Sequence, residues 1–189
     1  KMSGTCSAAM KAAEAFDGVY VYDTETVAGT MCLCTERLRA RLAKGCTLDE
    51  ARAYIAYFIE HSRLIIHAAT LEYLRRGGRI GRAASIVGGV FDIKPLLHVV
   101  DGEVVAYAKV RGQQKALDAM ERFLDENSRP EGKVYYALID ALNDEEPAQM
   151  RELIGRVRPN AECVLVTHVG AVVGTPIGPG SAAFAMIVE

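Results

Sequence analysis

The order of strand-like and helix-like segments in the first third of the chain constrains the fold most. Residues 18–22 and 64–68 are short apolar runs typical of buried strands, and two segments with helical periodicity lie between them. The second of these helices begins at a capping box, because Thr47 can accept the exposed amide of Glu50 while the Glu50 side chain reaches back. This strand, helix, helix, strand order predicts a three-layer α/β domain with a parallel sheet.

The ends of these helices are marked by polar residues and glycine. A helix is predicted over residues 6–16, directly after the turn-like sequence Ser3, Gly4, Thr5. Asp23, Thr24 and Thr26 offer oxygens that can cap the next helix, which Gly45 ends. The apolar face predicted for the helix after the capping box consists of Leu48, Ala51, Tyr54, Ile55, Phe58 and Ile59.

The pattern changes after Thr70. Residues 70–76 indicate one or two helical turns, which Gly77 and Gly78 break, and residues 80–90 indicate a helix of small residues. Residues 93–100 and 104–110 are strand-like, and the Asp101 and Gly102 pair between them favours a tight type I′ hairpin, in which both central residues need positive φ. The sequence therefore predicts antiparallel pairing here.

The last third of the chain alternates between helix and strand. Helices are predicted over residues 113–127 and from about Pro147 to 157, and strands over residues 134–139, 163–166, 171–173 and 182–188, with a glycine-rich turn over 174–180. We therefore predict two domains: residues 1–66 form part of an N-terminal α/β domain, and residues 67–189 form an α+β domain with a mixed or antiparallel sheet.

Composition limits the function classes and the location. The 189 residues carry 22 basic and 24 acidic side chains, so no overall positive field favours nucleic acid. Five cysteines without paired metal or dithiol spacing indicate reduced thiols. Because no apolar run approaches the ~18 residues of a membrane span and the first residues lack a signal-peptide layout, we expect a cytoplasmic protein.

Two basic sets and a pair of hydroxyls are candidate binding groups. Of the four arginines at positions 75, 76, 79 and 82, Arg79 lies between Gly78 and Ile80, where backbone can approach a ligand, while Arg75 and Arg76 suit a solvated surface. A second basic set consists of Lys109, Arg111 and Lys115, on either side of Gly112. Because Gly112 has no side chain, the amides in the first turn of the helix predicted to follow it stay accessible to an anion. Ser3 and Thr5 can cap a helix or donate to a carboxylate. Apolar residues between the basic groups favour an amphiphilic anion as ligand.

Signals for catalysis are weak. The sequence has no G-x-S-x-G, H-E-x-x-H or P-loop motif and no G-x-G-x-x-G after a strand, and its histidines lack metal-ligand spacing. We therefore predict no metal, no cofactor and no enzyme activity. Two alternatives stay open: an enzyme that uses Ser3 as nucleophile on an anionic substrate, and a binder of RNA or phosphate surfaces that uses residues 75–82.

Several ordered motifs resemble the DegV family. They are LEYLRRGGRI at residues 71–80, IKP at 93–95 with the following Asp101 and Gly102, KVRG at 109–112 with Lys115 and Ala116, and GPG at 178–180. The opening Ser3, Gly4 and Thr5 and the Asp23 and Thr24 stretch match as well. The resemblance implies a two-domain DegV-like α/β fold and a bacterial lipid carrier. Such a carrier holds a long-chain fatty acid such as palmitate in a tunnel between its domains and presents the carboxylate to a separate fatty-acid kinase.

The resemblance also implies roles for particular residues. Ser3, Thr5, Arg79 and Thr175 are expected at the carboxylate, and Lys109, Arg111 and Lys115 at the kinase-docking patch. A peripheral membrane contact would serve lipid exchange. Two departures from the family stand out: Pro176 occupies the position of a usual histidine, and a strand-rich N-terminal segment that supplies another hydroxyl and part of the tunnel wall has no counterpart, so we expect that segment to be missing.

Overall fold

One mixed six-stranded sheet lies at the centre of the computed structural model, which describes residues 1–86 and 93–189. The strands are β1 (Arg63–His67), β2 (Ile93–Val100), β3 (Glu103–Arg111), β4 (Val134–Ala141), β5 (Glu162–His168) and β6 (Ser181–Val188). Their order across the sheet is β3-β2-β1-β6-β4-β5. Only β4 and β5 pair in parallel; β1 is antiparallel to both β2 and β6, and β6 is antiparallel to β4.

The pairing fixes which residues share an end of the sheet. In register, His67 lies beside Leu96 and Ala182, and Ala182 lies beside Asp140. The strands β1, β3, β4 and β5 therefore all finish at one end, where β2 and β6 begin. We call this the carboxyl end of the sheet.

Helices cover both faces of the sheet. The α-helices of the described residues are α1 (Thr5–Ala13), α2 (Gly29–Leu42), α3 (Leu48–His61), α4 (Glu72–Arg76), α5 (Gln113–Asn127), α6 (Glu146–Val157) and α7 (Ala171–Ile177). On one face, α2 and α3 contribute Leu33 and Phe58 to a core with Ile66 of β1. On the other, α5 and α6 contribute Phe123 and Ile154. The predicted α/β class with a mixed sheet is confirmed, and the molecule has three layers.

Strong local signals form the elements that they predict. Thr47 donates its backbone amide to Glu50 Oε2 over 2.8 Å, and the Glu50 amide donates to Thr47 Oγ1 over 3.3 Å, so the capping box starts α3. Asp101 and Gly102 have φ of 51° and 70°, as the predicted hairpin turn requires. Helix α5 spans residues 113–127 as predicted, and Pro147 lies in the first turn of α6.

The first part of the chain departs from the prediction. Residues 18–22 are not a strand: Val19 and Tyr20 are half exposed, and no strand among the described residues pairs with them. Helix α2 begins at Gly29 without a side-chain cap, so Asp23, Thr24 and Thr26 do not cap it. A Cβ at Gly29 would lie 2.2 Å from Ile139 Cγ1, so close packing against β4 determines where this helix begins.

The structure also corrects the prediction that the first part of the chain contributes strands to a parallel sheet. The strand predicted at residues 64–68 exists as β1, but it pairs antiparallel within the central sheet. The boundary predicted between residues 66 and 67 falls inside this strand. The division into two domains stays a prediction.

Two further segments differ from their predicted states. Residues 171–173 belong to helix α7 and not to a strand, and most of the predicted turn over residues 174–180 continues that helix to Ile177. The helix predicted over residues 80–90 is a 3₁₀ helix over Gly81–Ile86, and residues 87–92 lie outside the described part. No helix in the described part of the chain is long and apolar enough to span a bilayer. All five cysteines carry free thiols.

The end of the sheet opposite the carboxyl end contains a half-buried ion cluster. The Glu189 carboxylate accepts hydrogen bonds from Arg37 Nη2 at 2.7 Å, Arg41 Nη2 at 2.9 Å and the Tyr54 hydroxyl at 2.7 Å. Burial opposes ionisation of Glu189, but these donors outweigh it and hold the pKa of the carboxyl below its usual value. The cluster joins α2 and α3 to the sheet.

Candidate functional site

An apolar cleft opens at the carboxyl end of the sheet, on the face covered by α2 and α3. Its volume is about 610 Å³, within the range of small-molecule sites. The floor consists of Leu64 and Ile66 on β1, Ile139 on β4 and Ala183 on β6. Ala183 pairs in register with both Ile66 and Ile139, so a small side chain lies between two large ones.

The walls of the cleft come from two short helices and the N-terminal segment. Helices α4 and α7 contribute Leu74 and Ile177, and Met2 and Val27 complete the lining on the other side. The helices pack closely through glycine: a Cβ at Gly77 would lie 3.3 Å from Pro176 Cβ, and a Cβ at Gly178 would lie 2.2 Å from the Tyr73 ring. Larger residues at these two glycines would separate the walls.

Arg79 is the cation at the rim that carries no opposing charge. Arg75 and Arg76 both pair with Glu72, at 2.8 and 2.7 Å, and Arg82 pairs with Glu103 at 3.0 Å. The hydrogen bonds from Arg75 and Arg76 lower the pKa of Glu72 to about 2. Arg79 donates only to backbone carbonyls, those of Gly77 at 2.7 Å and Met2 at 3.4 Å, and has no carboxylate partner among residues 1–86 and 93–189.

Three predicted hydroxyls lie at or beside this rim. Ser3 and Thr175 line the cleft, whereas Thr5 does not line it and instead supports Ser3. The Ser3 and Thr5 hydroxyl oxygens are 2.7 Å apart, and the Thr5 amide donates to Ser3 Oγ over 3.2 Å. Thr175 Oγ1 donates to the Ala171 carbonyl over 2.7 Å, so it must release this bond before it donates to a ligand. Ser3, Arg79 and Thr175 thus share one rim.

Pro176 lines the cleft where the resemblance leads us to expect a histidine. Proline offers no backbone amide and no side-chain donor, so it cannot donate a hydrogen bond to a ligand. His168 does not replace the missing donor, since it lies outside the lining and its Nδ1 is 2.8 Å from Asp140 Oδ1. The hydrogen bond with Asp140 raises the pKa of His168.

The second basic set lies at the same end of the sheet but outside the cleft. Lys109 and Arg111 alternate with Val110, which packs toward α5 and α6, so both basic side chains project on the cleft face. Two strand spacings, about 10 Å, separate β3 from β1. Lys109 Nζ donates to the Ile86 carbonyl over 3.3 Å, and Arg111 and Lys115 are exposed. The two sets therefore flank one surface.

The sequence predictions missed the apolar lining. Arg76 is predicted on a solvated surface, and its side chain is indeed 71% exposed and paired with Glu72, although it also borders the cleft. The floor residues were expected only as core, although the alternation of Leu64 and Ile66 along a strand indicates that they share a face. Nothing in the sequence shows that β6 and β4 lie beside that face.

The alternative functions find little support at this site. No histidine lines the cleft, and Ser3 has only Thr5 as a described hydrogen-bond partner, so no base is placed to activate it. Within the described ranges, no group of three or more His, Cys, Asp or Glu side chains is arranged to hold a metal ion. Three of the four arginines proposed for phosphate binding are already paired with carboxylates.

Comparisons with known proteins agree with the sequence motifs. The family model described as "Uncharacterised protein, DegV family" matches residues 1–189. A Thermotoga maritima protein named "Fatty acid-binding protein" is 31% identical over 97% of the chain, and Protein DegV of Bacillus subtilis is 28% identical over 95% of it. The chain spans 65% and 64% of the lengths of these two relatives.

Solved structures share the fold. A DegV family protein from Thermus thermophilus, described as binding fatty acid, has a TM-score of 0.89 and 26% identity over 100% of this chain and 68% of its own. The Streptococcus pneumoniae Fatty Acid Kinase (Fak) B3 protein, described as loaded with linoleic acid, has a TM-score of 0.84 and 19% identity, with 100% of this chain and 68% of its own covered. The latter similarity concerns the fold alone.

Proposed function

Because this chain belongs to the DegV family, we propose that it binds a long-chain fatty acid, with the tail in the apolar cleft and the carboxylate at the Arg79 rim. The single observation that carries this proposal is the position of an uncompensated guanidinium at the mouth of an apolar cleft of about 610 Å³. The Thermotoga and Thermus relatives are named for the same ligand class.

The floor and walls suit an acyl tail. Aliphatic side chains make up most of the lining, and the cleft offers few polar atoms that would need water or a polar ligand. Each methylene that leaves water contributes ~0.8 kcal/mol, so a palmitate-sized tail can supply micromolar binding even after ordering costs are subtracted. The tail therefore provides most of the affinity in this proposal.

The rim would set orientation and head-group preference. Arg79 can turn from its carbonyl contacts to a carboxylate, and Ser3, two residues before α1, can donate its hydroxyl. The exposed amides at the start of α1 also favour an anion beside Ser3. Since Pro176 provides no donor, we propose that Arg79 and Ser3 carry the head-group contact, with Thr175 contributing once its bond to Ala171 is released.

The second basic set supports a finer proposal about a partner. Lys109, Arg111 and Lys115 lie outside the cleft but at the same end of the sheet, where they can contact a protein that approaches the bound carboxylate. We propose that this partner is a fatty-acid kinase, to which the protein presents its ligand. Five free thiols fit a reducing compartment, which supports a cytoplasmic location, and access at the cleft mouth would allow exchange with a membrane surface.

Binding of matched ligands tests the head-group assignment. We expect palmitate to bind the chain in an isothermal titration and Arg79→Ala to weaken it by roughly five- to tenfold, a modest loss because this arginine is exposed to solvent. Hexadecanol has the same tail without the charge, so Arg79→Ala should leave its affinity unchanged.

Arg75→Ala is the matched control, since Arg75 carries the same charge four residues away but is held by Glu72. An equal loss for palmitate in both variants would indicate a general electrostatic effect. Absence of palmitate binding by the native chain would refute the proposed function itself.

A further inference from the structure

A cluster of polar side chains lies on the other face of the sheet, directly behind the cleft floor. Its centre is the buried carboxyl group of Glu146, at the first residue of α6. Glu146 Oε1 lies 2.5 Å from His67 Nδ1 and accepts from Gln113 Nε2 at 3.3 Å, and Oε2 accepts from Asn143 Nδ2 at 2.8 Å. Gln113 Nε2 also donates to Gln149 Oε1 over 2.9 Å. We call these five residues the Glu146 cluster.

The cluster is bonded to the strands that form the cleft floor. His67 follows Ile66 on β1, and because successive side chains on a strand point to opposite faces, Ile66 lines the cleft while His67 contacts Glu146. Asn143 Nδ2 also donates to the Gly180 carbonyl over 2.9 Å, in the turn between α7 and β6. One carboxyl group thus connects β1 and the start of β6 from behind.

The same carboxyl group holds the start of α5, next to the second basic set. Gln113 is the first residue of this helix and follows Arg111 and Gly112. Gly112 has φ of 79° and contributes no side-chain cap, so local signals leave the beginning of the helix unsupported. Among the described residues, the side-chain hydrogen bonds of Gln113 to Glu146 and Gln149 therefore hold the first turn of α5 in place.

Stability alone does not account for such a cluster. Buried ionisable pairs are commonly no more stabilising than apolar side chains of the same size, and His67 Nε2 is buried with no hydrogen-bond partner in the described part of the chain. Hydrogen bonds with fixed directions do set the relative positions of the segments that they join. Here they join the cleft floor to the basic set.

We propose that the Glu146 cluster is a positioning device that holds Arg111 and Lys115 in a fixed relation to the cleft mouth, so that a partner can engage the basic set and the bound carboxylate together. Gln113 is the positioning residue at the partner-facing end. The inference rests on the proposed function for the role of the two basic residues, whereas the positioning itself is a property of the fold.

Two neighbouring glutamines provide a matched test. Gln113 is half buried in the cluster, and Gln114 is exposed and bonded only to Asp118 of the same helix, at 2.9 Å. Hydrogen–deuterium exchange of the amides of residues 116–119, the first of which donates to the Gly112 carbonyl, should be about tenfold faster in Gln113→Ala and unchanged in Gln114→Ala, because only the first variant loses hydrogen bonds to a buried acceptor. Alanine favours helix, so intrinsic propensity would act in the opposite direction.

The same variants separate positioning from ligand binding. Palmitate affinity should stay within about twofold of native in both, because Gln113 does not line the cleft. With a fatty-acid kinase and palmitate-loaded protein, Gln113→Ala should raise the KM for the loaded protein and leave kcat unchanged.

Unchanged exchange at residues 116–119 in Gln113→Ala would overturn the inference, and so would faster exchange without any rise in KM. A loss of palmitate affinity as large as the rise in KM would show general damage instead of positioning and would overturn it too. If the native chain bound no palmitate while exchange still responded to Gln113→Ala, the proposed function would fail and the positioning would stand.

Discussion

Ala183 offers the sharpest test of the cleft, because it lies at the floor between Ile66 and Ile139. Ala183→Leu adds three carbon atoms that project from β6 into the space assigned to the acyl tail. The neighbouring side chains are large and branched, so they leave the new side chain no room within the floor itself. The substitution should therefore shorten the cleft without touching the Arg79 rim.

The expected magnitude follows from the displaced methylenes. Three methylenes of a long tail that can no longer be buried at ~0.8 kcal/mol each amount to about 2.4 kcal/mol, or roughly 60-fold in affinity. A short acid whose tail ends above the floor should lose little. The ratio of palmitate to octanoate affinity in isothermal titrations is thus the quantity to measure, since errors in active protein concentration cancel in it.

The stability of unliganded Ala183→Leu tests independently whether the cleft above residue 183 is open. If the cleft is open, a leucine that points into it meets no close neighbours, and the melting temperature should stay the same or rise. If the floor were closely packed in solution, the added carbons would cost about 1–3 kcal/mol. A parallel loss of palmitate and octanoate binding, or a marked fall in melting temperature, would refute the assignment of the tail to this cleft.

Two other predictions concern the basic set and the ion cluster. Arg111→Ala should leave palmitate affinity nearly native and weaken coupling to a fatty-acid kinase, because Arg111 lies outside the cleft; equal losses in a titration and a kinase assay would contradict this division. Glu189→Gln should lower the free energy of unfolding by about 1–2 kcal/mol at pH 7, because Arg37 and Arg41 lose their charged acceptor. Folding lowers the pKa of Glu189, so the stability difference between native protein and Glu189→Gln should be fully present above the pKa of the unfolded carboxyl group. It should shrink as the pH falls through the pKa of the folded state. Urea titrations at several pH values measure this difference, and a difference that does not change with pH would contradict the prediction.

Elements with complete local signals were predictable, and elements formed by distant contacts were not. The Thr47 capping box and the Asp101 and Gly102 turn each need only residues a few positions apart, and both form as expected. Helix α7, in contrast, depends on residues that are distant in the sequence. Its valines, glycine and proline disfavour a helix, but packing of Pro176 against Gly77 stabilises it there.

The candidate site divides in the same way. Short contiguous stretches of sequence single out Ser3, Arg79 and Thr175, and all three line one cleft, whereas their role in binding stays a prediction. The floor was not found, because Ile66 and Ala183 lie more than 100 residues apart and meet only through the register of β1 with β6. Gln113 was missed for the same reason, since its partner Glu146 begins a different helix.

The charge arrangement explains how a chain with a net charge of −2 can favour one kind of anion. A polyanion gains affinity from many cations at once, and three of the four arginines in residues 75–82 are paired with Glu72 or Glu103. Arg79 remains, at the edge of an apolar cleft. A single cation beside a large apolar surface offers few contacts to a phosphate backbone, but it offers an amphiphilic acid a contact for its charge and another for its tail. The proposed selectivity would therefore depend on the pairing of the neighbouring arginines as much as on Arg79 itself.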